Sequence, residues 1–193
     1  CYGGIYLDTD VEMVRSFDSF LDCEMFAGWE ARDSIMDKDG ISYENSVAFG
    51  LGYGSIANHP ILADILSFYD RLSFYNDDGS MNLVACPHYQ TEVLKKYGLD
   101  DSKRSRQSLS AGVEIYPPDY FSPKSQLTGE IHITENTASI HHFSMSWVSE
   151  ATRKEQELKW KFCKHLSYRT ASALAKAAVV PVKLADKVRE SNE

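Results

Sequence analysis

Behind the pair Gly3-Gly4, residues 5–7 form a short apolar run that stops at Asp8. Such a run predicts a buried parallel strand, and polar chemistry then starts at that strand's carboxyl end. Residues 11–21 (VEMVRSFDSFL) set Met13, Val14, Phe17 and Leu21 near helical spacing, and residues 24–29 (EMFAGW) read as a second strand. Strand, short helix, strand is therefore the expected opening. Residues 33–54 are rich in Asp, Ser, Asn and Gly, with a tight turn at Asp39-Gly40, and they predict a surface or active-site loop. After His59-Pro60, the positions Ile61, Leu62, Ile65, Leu66 and Tyr69 recur with the period of a helix, and Pro60 suits its first turn. Residues 77–80 predict a turn. Residues 91–97 predict a second helix, closed by Gly98, with a polar loop following through Arg106. Residues 113–116 and 139–143 have strand character, the first ended by Pro117-Pro118. From Glu150 onward the pattern becomes helical.

A chain of 193 residues suits one compact core with one site. Hydrophobic residues at 43% and charged residues at 25% match ordinary globular usage. The formal net charge of -8 argues against a nucleic-acid partner, which is usually met by a basic face. The acidity is uneven: residues 150–193 carry ten Lys/Arg against six Asp/Glu, which is +4 and leaves -12 for residues 1–149. Cys1, Cys23, Cys86 and Cys163 are too scattered for a zinc or redox motif and predict free thiols in a reducing compartment. No apolar run reaches the ~18 residues a membrane-spanning helix needs, so a cytoplasmic location is the expectation.

The candidate chemistry sits at the end of the first strand. Asp8-Thr9-Asp10 puts two carboxylates two positions apart, which suits a hard divalent cation such as Mg2+ or Mn2+. An acidic turn can produce the same spelling by chance. Its setting behind Gly-Gly and an apolar strand carrying Tyr6 is what raises the metal reading.

The run GGIYLDTDV, with FAGWE some way on and IHHFSMSW near residue 147, resembles glycosyltransferase family 32, whose sugar-binding region contains a DXD motif. The resemblance covers residues 1 to about 147. It implies a GT-A fold, an α/β architecture with a Rossmann-like mixed sheet flanked by helices, entered here without its N-terminal part. It divides the chain into the C-terminal part of a catalytic domain, 1–149, and a basic helical tail, 150–193. The implied activity is metal-dependent, retaining transfer of a hexose from a nucleotide-diphosphate sugar to a saccharide or lipid-linked glycan acceptor. Asp8 and Asp10 would hold Mn2+ or Mg2+, with His141 or His142 completing the shell. Adjacent residues on a strand point to opposite faces, so only one of the two histidines should reach the ion. Gly3, Gly4, Tyr6, Asp8, Ser146 and Trp147 fall where the family meets its donor. Asn45, Gly50 and Gly52 fall in the loop that meets donor sugar and acceptor.

Two other readings stay open. The family carries its first nucleotide-binding strands ahead of the acid pair, and their absence here is compatible with an inactive sugar-binding or structural remnant. An apolar strand followed by Asp-x-Asp also opens haloacid-dehalogenase-type phosphatases, for which Asp77-Asp78 or Asp100-Asp101 would have to supply the second acidic pair. In the tail, Trp160, Phe162, Leu166 and Tyr168 lie among Lys159, Lys161, Lys164 and Arg169, a mixture suited to an anionic membrane surface. Trp160 and Phe162 do not share a helical face, which favours a helix packed on protein.

Overall fold

The structure, a computed structural model, describes residues 2–30 and 45–190, with side chains described through 184. It is a mixed α/β protein that divides into two compact units, Cys1–Pro123 with His132–His142, and Lys124–Ile131 with Phe143–Glu193. The Asp39-Gly40 turn and most of the expected 33–54 loop lie outside the described residues.

The first unit is built on a five-stranded mixed sheet of β1 (Gly4–Tyr6), β4 (Tyr53–Ser55), β3 (Met25–Gly28), β6 (Val113–Tyr116) and β5 (Gln107–Leu109), in that order across the sheet. Strands β3 and β6 are parallel, and the β1–β4, β3–β4 and β5–β6 pairs are antiparallel. It follows that β1, β3 and β6 all point their carboxyl ends to one edge of the sheet. A two-stranded ladder of β2 (Val11–Met13) and β7 (Ser139–His141) stands beside it, with Val11 opposite His141.

Alternation along β3 feeds two cores. Met25, Ala27 and the following Trp29 face helices α1 (Pro60–Tyr69) and α2 (Cys86–Lys95), where they meet Ile61, Ile65, Val93 and Leu94. Phe26 faces the other way, into a cluster with Phe17, Phe20, Tyr116 and Phe121, the last on the short helix α3 (Pro118–Phe121). Ring pairs in this cluster are mostly edge-to-face, such as Phe20 on Phe121 at 5.0 Å, the arrangement that aromatic quadrupoles favour. Helix α1 starts where expected, with Pro60 in its first turn and the His59 ring accepting the Ile61 N–H at 3.3 Å. Helix α2 starts five residues before its pattern predicts, with Pro87 in its first turn, and ends at Lys95. Gly98 follows it with φ of 101°.

Three expectations are corrected. The strand at residues 5–7 is an exposed antiparallel edge, because the glycine-rich run at residues 50–55 returns as β4 and pairs with it. No helix forms over residues 11–21. Val11 to Met13 pair with β7 as a strand, and only Asp18–Phe20 turn, as one 3-10 turn that drops Phe17 and Phe20 into the aromatic cluster. The polar stretch before Arg106 leads directly into an unforeseen strand, β5.

The second unit pairs α4 (Glu150–Cys163) with α5 (Tyr168–Glu190). Ala171, Ala175 and Val179 of α5 form a buried stripe at four-residue spacing, and Lys183 reaches Glu155 at 2.7 Å. Trp160 packs on the 124–131 segment: its indole N–H donates to the Gln126 carbonyl at 3.0 Å, and the Lys124 ammonium lies 4.0 Å from its ring centre. Among the described residues no helix is long and apolar enough to cross a membrane.

Candidate metal centre

Where β1 ends, the chain turns on itself: the Val11 N–H donates to the Asp8 carbonyl at 3.1 Å, and the Asp8 N–H donates to the Gly50 carbonyl at 3.2 Å. This turn presents Asp8 and Asp10 at the edge to which the parallel pair also points, the place where open α/β sheets hold ligands. From across the β2–β7 ladder His141 comes to meet them. Its Nε2 is 3.3 Å from Asp10 Oδ1 and 3.6 Å from Asp8 Oδ2, and one ligand atom from each of the three residues lies within 4.8 Å of the others.

The strand's two-residue period separates the two histidines. His142 lies on the opposite face, where its Nε2 is 2.8 Å from Glu12 Oε2, while its backbone N–H donates to the Asp10 carbonyl. Val11, opposite His141 in the ladder, marks the same alternation.

Tyr6 orients the first aspartate. Its hydroxyl donates to Asp8 Oδ1 at 2.8 Å, which leaves Oδ2 turned toward His141. That hydrogen bond, joined by the carboxylate's charge, raises the Tyr6 phenol above its ordinary value of 10.0 and keeps it a donor. Gly50 closes the site from the other side. A Cβ there would come 2.4 Å from Asp8 Oδ2, so only glycine leaves the carboxylate its present place.

The donor set fits a divalent cation. Ligands around Mg2+ or Mn2+ at about 2.1 Å in octahedral array stand ~3 Å apart when adjacent, close to the 3.3 and 3.6 Å seen here. Two carboxylates suit either ion, and the imidazole tilts the set toward Mn2+. The side chains are partly sheltered, at 13% exposure for His141 and 18% for Asp10, while Asp8 at 39% opens to solvent.

The remaining expected site residues have the following surroundings. Gly3 has φ of 73°, and a Cβ would strike the Ser55 carbonyl and the Ala57 nitrogen at 2.7 Å, so it is required by the turn against β4. Gly4 faces open space. Gly52 has φ of 130°, and a Cβ there would come 2.9 Å from the Leu7 side chain. The Asn45 amide donates to the Asp101 carbonyl at 2.7 Å, which ties it to the loop after α2. Ser146 and Trp147 belong to the second unit and are exposed, Trp147 at 84%. The roles of Tyr6 as a hydrogen-bond donor to Asp8 and of Gly50 as its close neighbour were not foreseen. The two-residue spacing of Tyr6 and Asp8 was the signal for the first, and the second depends on a contact that spans forty-two residues of sequence.

No protein-family model, curated protein or solved structure matches the chain.

Proposed function

We propose that the first unit carries the donor-side centre of a GT-A-type, metal-dependent retaining glycosyltransferase. It moves a hexose from a nucleotide-diphosphate sugar to a saccharide or lipid-linked glycan acceptor, with work on the latter at the inner face of a membrane. The observation that carries this reading is the convergence of Asp8, Asp10 and His141 at the carboxyl end of β1. Asp8 Oδ2, Asp10 Oδ1 and His141 Nε2 would hold Mn2+ or Mg2+, and when bound that ion supplies charge neutralisation to a departing diphosphate. Tyr6 holds Asp8 by a hydrogen bond, and Gly50, with no Cβ, leaves Asp8 Oδ2 its place. No side chain is assigned as a general base.

The phosphatase reading is less well supported. Asp78 accepts from Ser80 in an exposed turn, Asp100 and Asp101 pair with Lys103 and Lys95, and neither acidic pair joins the group of Asp8, Asp10 and His141. The test is hydrolysis of nucleotide-diphosphate hexoses with Mn2+, read as free sugar released. Asp8→Ala and Asp10→Ala should each abolish release while the melting temperature holds. Wild-type release in both variants would end the proposal, and cation binding without any release in the parent chain would mark the inactive remnant instead.

A further inference from the structure

On the face of the sheet away from α1 and α2 lies a recess of about 540 Å³, within the ordinary size range of small-molecule sites. It belongs wholly to the first unit and shares no residue with the Asp8 centre. Its floor is Tyr116 of β6, with Tyr120 of α3 beside it at 4.9 Å between ring centres.

Polar groups here are unevenly satisfied. Glu114 has both oxygens occupied, Oε2 by Arg106 Nε at 2.9 Å and Oε1 by the Ser108 hydroxyl. Arg106 is thereby fixed with its guanidinium 4.9 Å over the Tyr116 ring, and its terminal nitrogens have no partner among the described residues. Arg15 is held by the carbonyls of Glu135 and Asn136 and has no carboxylate partner there, so its charge is uncompensated. Tyr116 is only 5% exposed, yet its hydroxyl makes no hydrogen bond to the described residues. Ser139 Oγ is the one sealed, unpartnered side-chain atom among them, so the Tyr116 hydroxyl is not sealed, and Tyr116 lines the recess. Burial pushes this phenol above its usual range, which keeps it a donor. Asp22, exposed on the rim, is the one carboxylate left as an acceptor.

The geometry points to a binding site for an acidic sugar: a sugar-sized polyol that bears a carboxylate or phosphate. The oxyanion would meet the Arg106 fork and the Tyr116 hydroxyl, a pairing whose planar donors suit either group. The hydroxyls at the other end would donate to Asp22, and the half-buried Tyr120 ring would flank the sugar. A neutral sugar leaves the arginine charge unmatched, and a bare anion leaves Asp22 facing charge of its own sign. This inference stands apart from the transferase reading, because it uses none of the cation ligands.

The test is calorimetric titration of the whole chain at low ionic strength, with EDTA present so that no cation near Asp8 and Asp10 can recruit the anion. Glucuronate, glucose 6-phosphate, glucose and inorganic phosphate are the four probes. At least one acidic sugar should bind in the millimolar range or tighter, with glucose and inorganic phosphate at least ~10-fold weaker. Whether glucuronate or glucose 6-phosphate binds better identifies the oxyanion. Tyr116→Phe removes only the hydroxyl, and Arg106→Lys keeps the charge but loses the fork. Each should weaken binding ~5-fold or more, and the first should leave the melting temperature unchanged. Binding of neither acidic sugar, equal binding of glucose, or affinity untouched by Tyr116→Phe and Arg106→Lys would each overturn the assignment.

Discussion

Gly50→Ala separates the candidate cation centre from the fold that carries it. The added Cβ would stand 2.4 Å from Asp8 Oδ2 and 3.1 Å from its Cγ, where ordinary contact begins at 3.4 Å. The carboxylate must therefore retreat by about 1 Å. It can do so cheaply, because it is the free end of a side chain 39% exposed to solvent and Gly50 does not need a left-handed backbone. Stability should then change by no more than ~0.5 kcal/mol, the usual range for surface changes. A cation shell is far less forgiving, since ligand distances hold to ~0.2 Å. Displacing one ligand indirectly should cost ~10–100-fold in affinity, or ~1.4–2.7 kcal/mol. Calorimetric titration with Mn2+, paired with thermal melts, reads both quantities. Gly28→Ala is the control: its Cβ would meet the Phe121 ring at 2.6 Å inside the buried aromatic cluster, so it should lower stability by ~1–3 kcal/mol through overpacking. If Gly50→Ala bound Mn2+ as the parent does, Asp8 Oδ2 would not be a ligand, and the centre as described would be wrong.

Two further outcomes follow from neighbouring geometry. His141→Ala should weaken Mn2+ binding by ~10-fold or more, whereas His142→Ala should stay within about twofold because its ring is engaged by Glu12, and equal losses would refute the assignment by strand face. Asp100 should titrate near pH 2 by carboxyl NMR, since Lys103 and then Ser102 hold it below its ordinary 3.8, and Lys103→Ala should return its midpoint toward that value. The folded chain then binds fewer protons there than the unfolded one between pH 3.8 and 2, so this pair's small contribution to stability is present above that window and is lost as pH falls through it. A midpoint unmoved by Lys103→Ala would show that the exposed pair is not formed in solution.

The elements legible in the sequence are those whose signal is local and agrees with what packs on them. Helix α1 announces itself by Pro60 and by Ile61 and Ile65 at helical spacing, and β3 by an apolar run with both faces covered. Strand β6 is bounded by Pro117 as expected, and Val113 and Ile115 alternate with Glu114 and Tyr116 across the sheet. Where the reading failed, the deciding contacts were distant. Residues 11–21 carry apolar positions that a helix could use, yet Val11 to Met13 are claimed by β7, some 130 positions later. Three-residue strands such as β1 and β4 have too little pattern to show direction, so an apolar run at residues 5–7 could not distinguish a buried parallel strand from an exposed antiparallel edge.

The same distinction governs the candidate centre. Asp8 and Asp10 were legible because their spacing and their place after a strand are both local, and strand alternation limited the histidines to one ligand. Which histidine it is depends on the register of β2 against β7. With Val11 opposite His141, that imidazole falls on the aspartate side, and a shift of one residue would send His142 there and pair His141 with Glu12 instead. Register in this two-stranded ladder is itself fixed by neighbours outside it: the Ala138 carbonyl accepts from both Val14 and Arg15, and the Arg15 guanidinium binds the carbonyls of Glu135 and Asn136. The side chain that leaves an uncompensated charge beside the tyrosine recess thus also clamps the ladder that aims His141. Loss of Arg15 should therefore be felt at the candidate cation centre, with no contact to Asp8, Asp10 or His141.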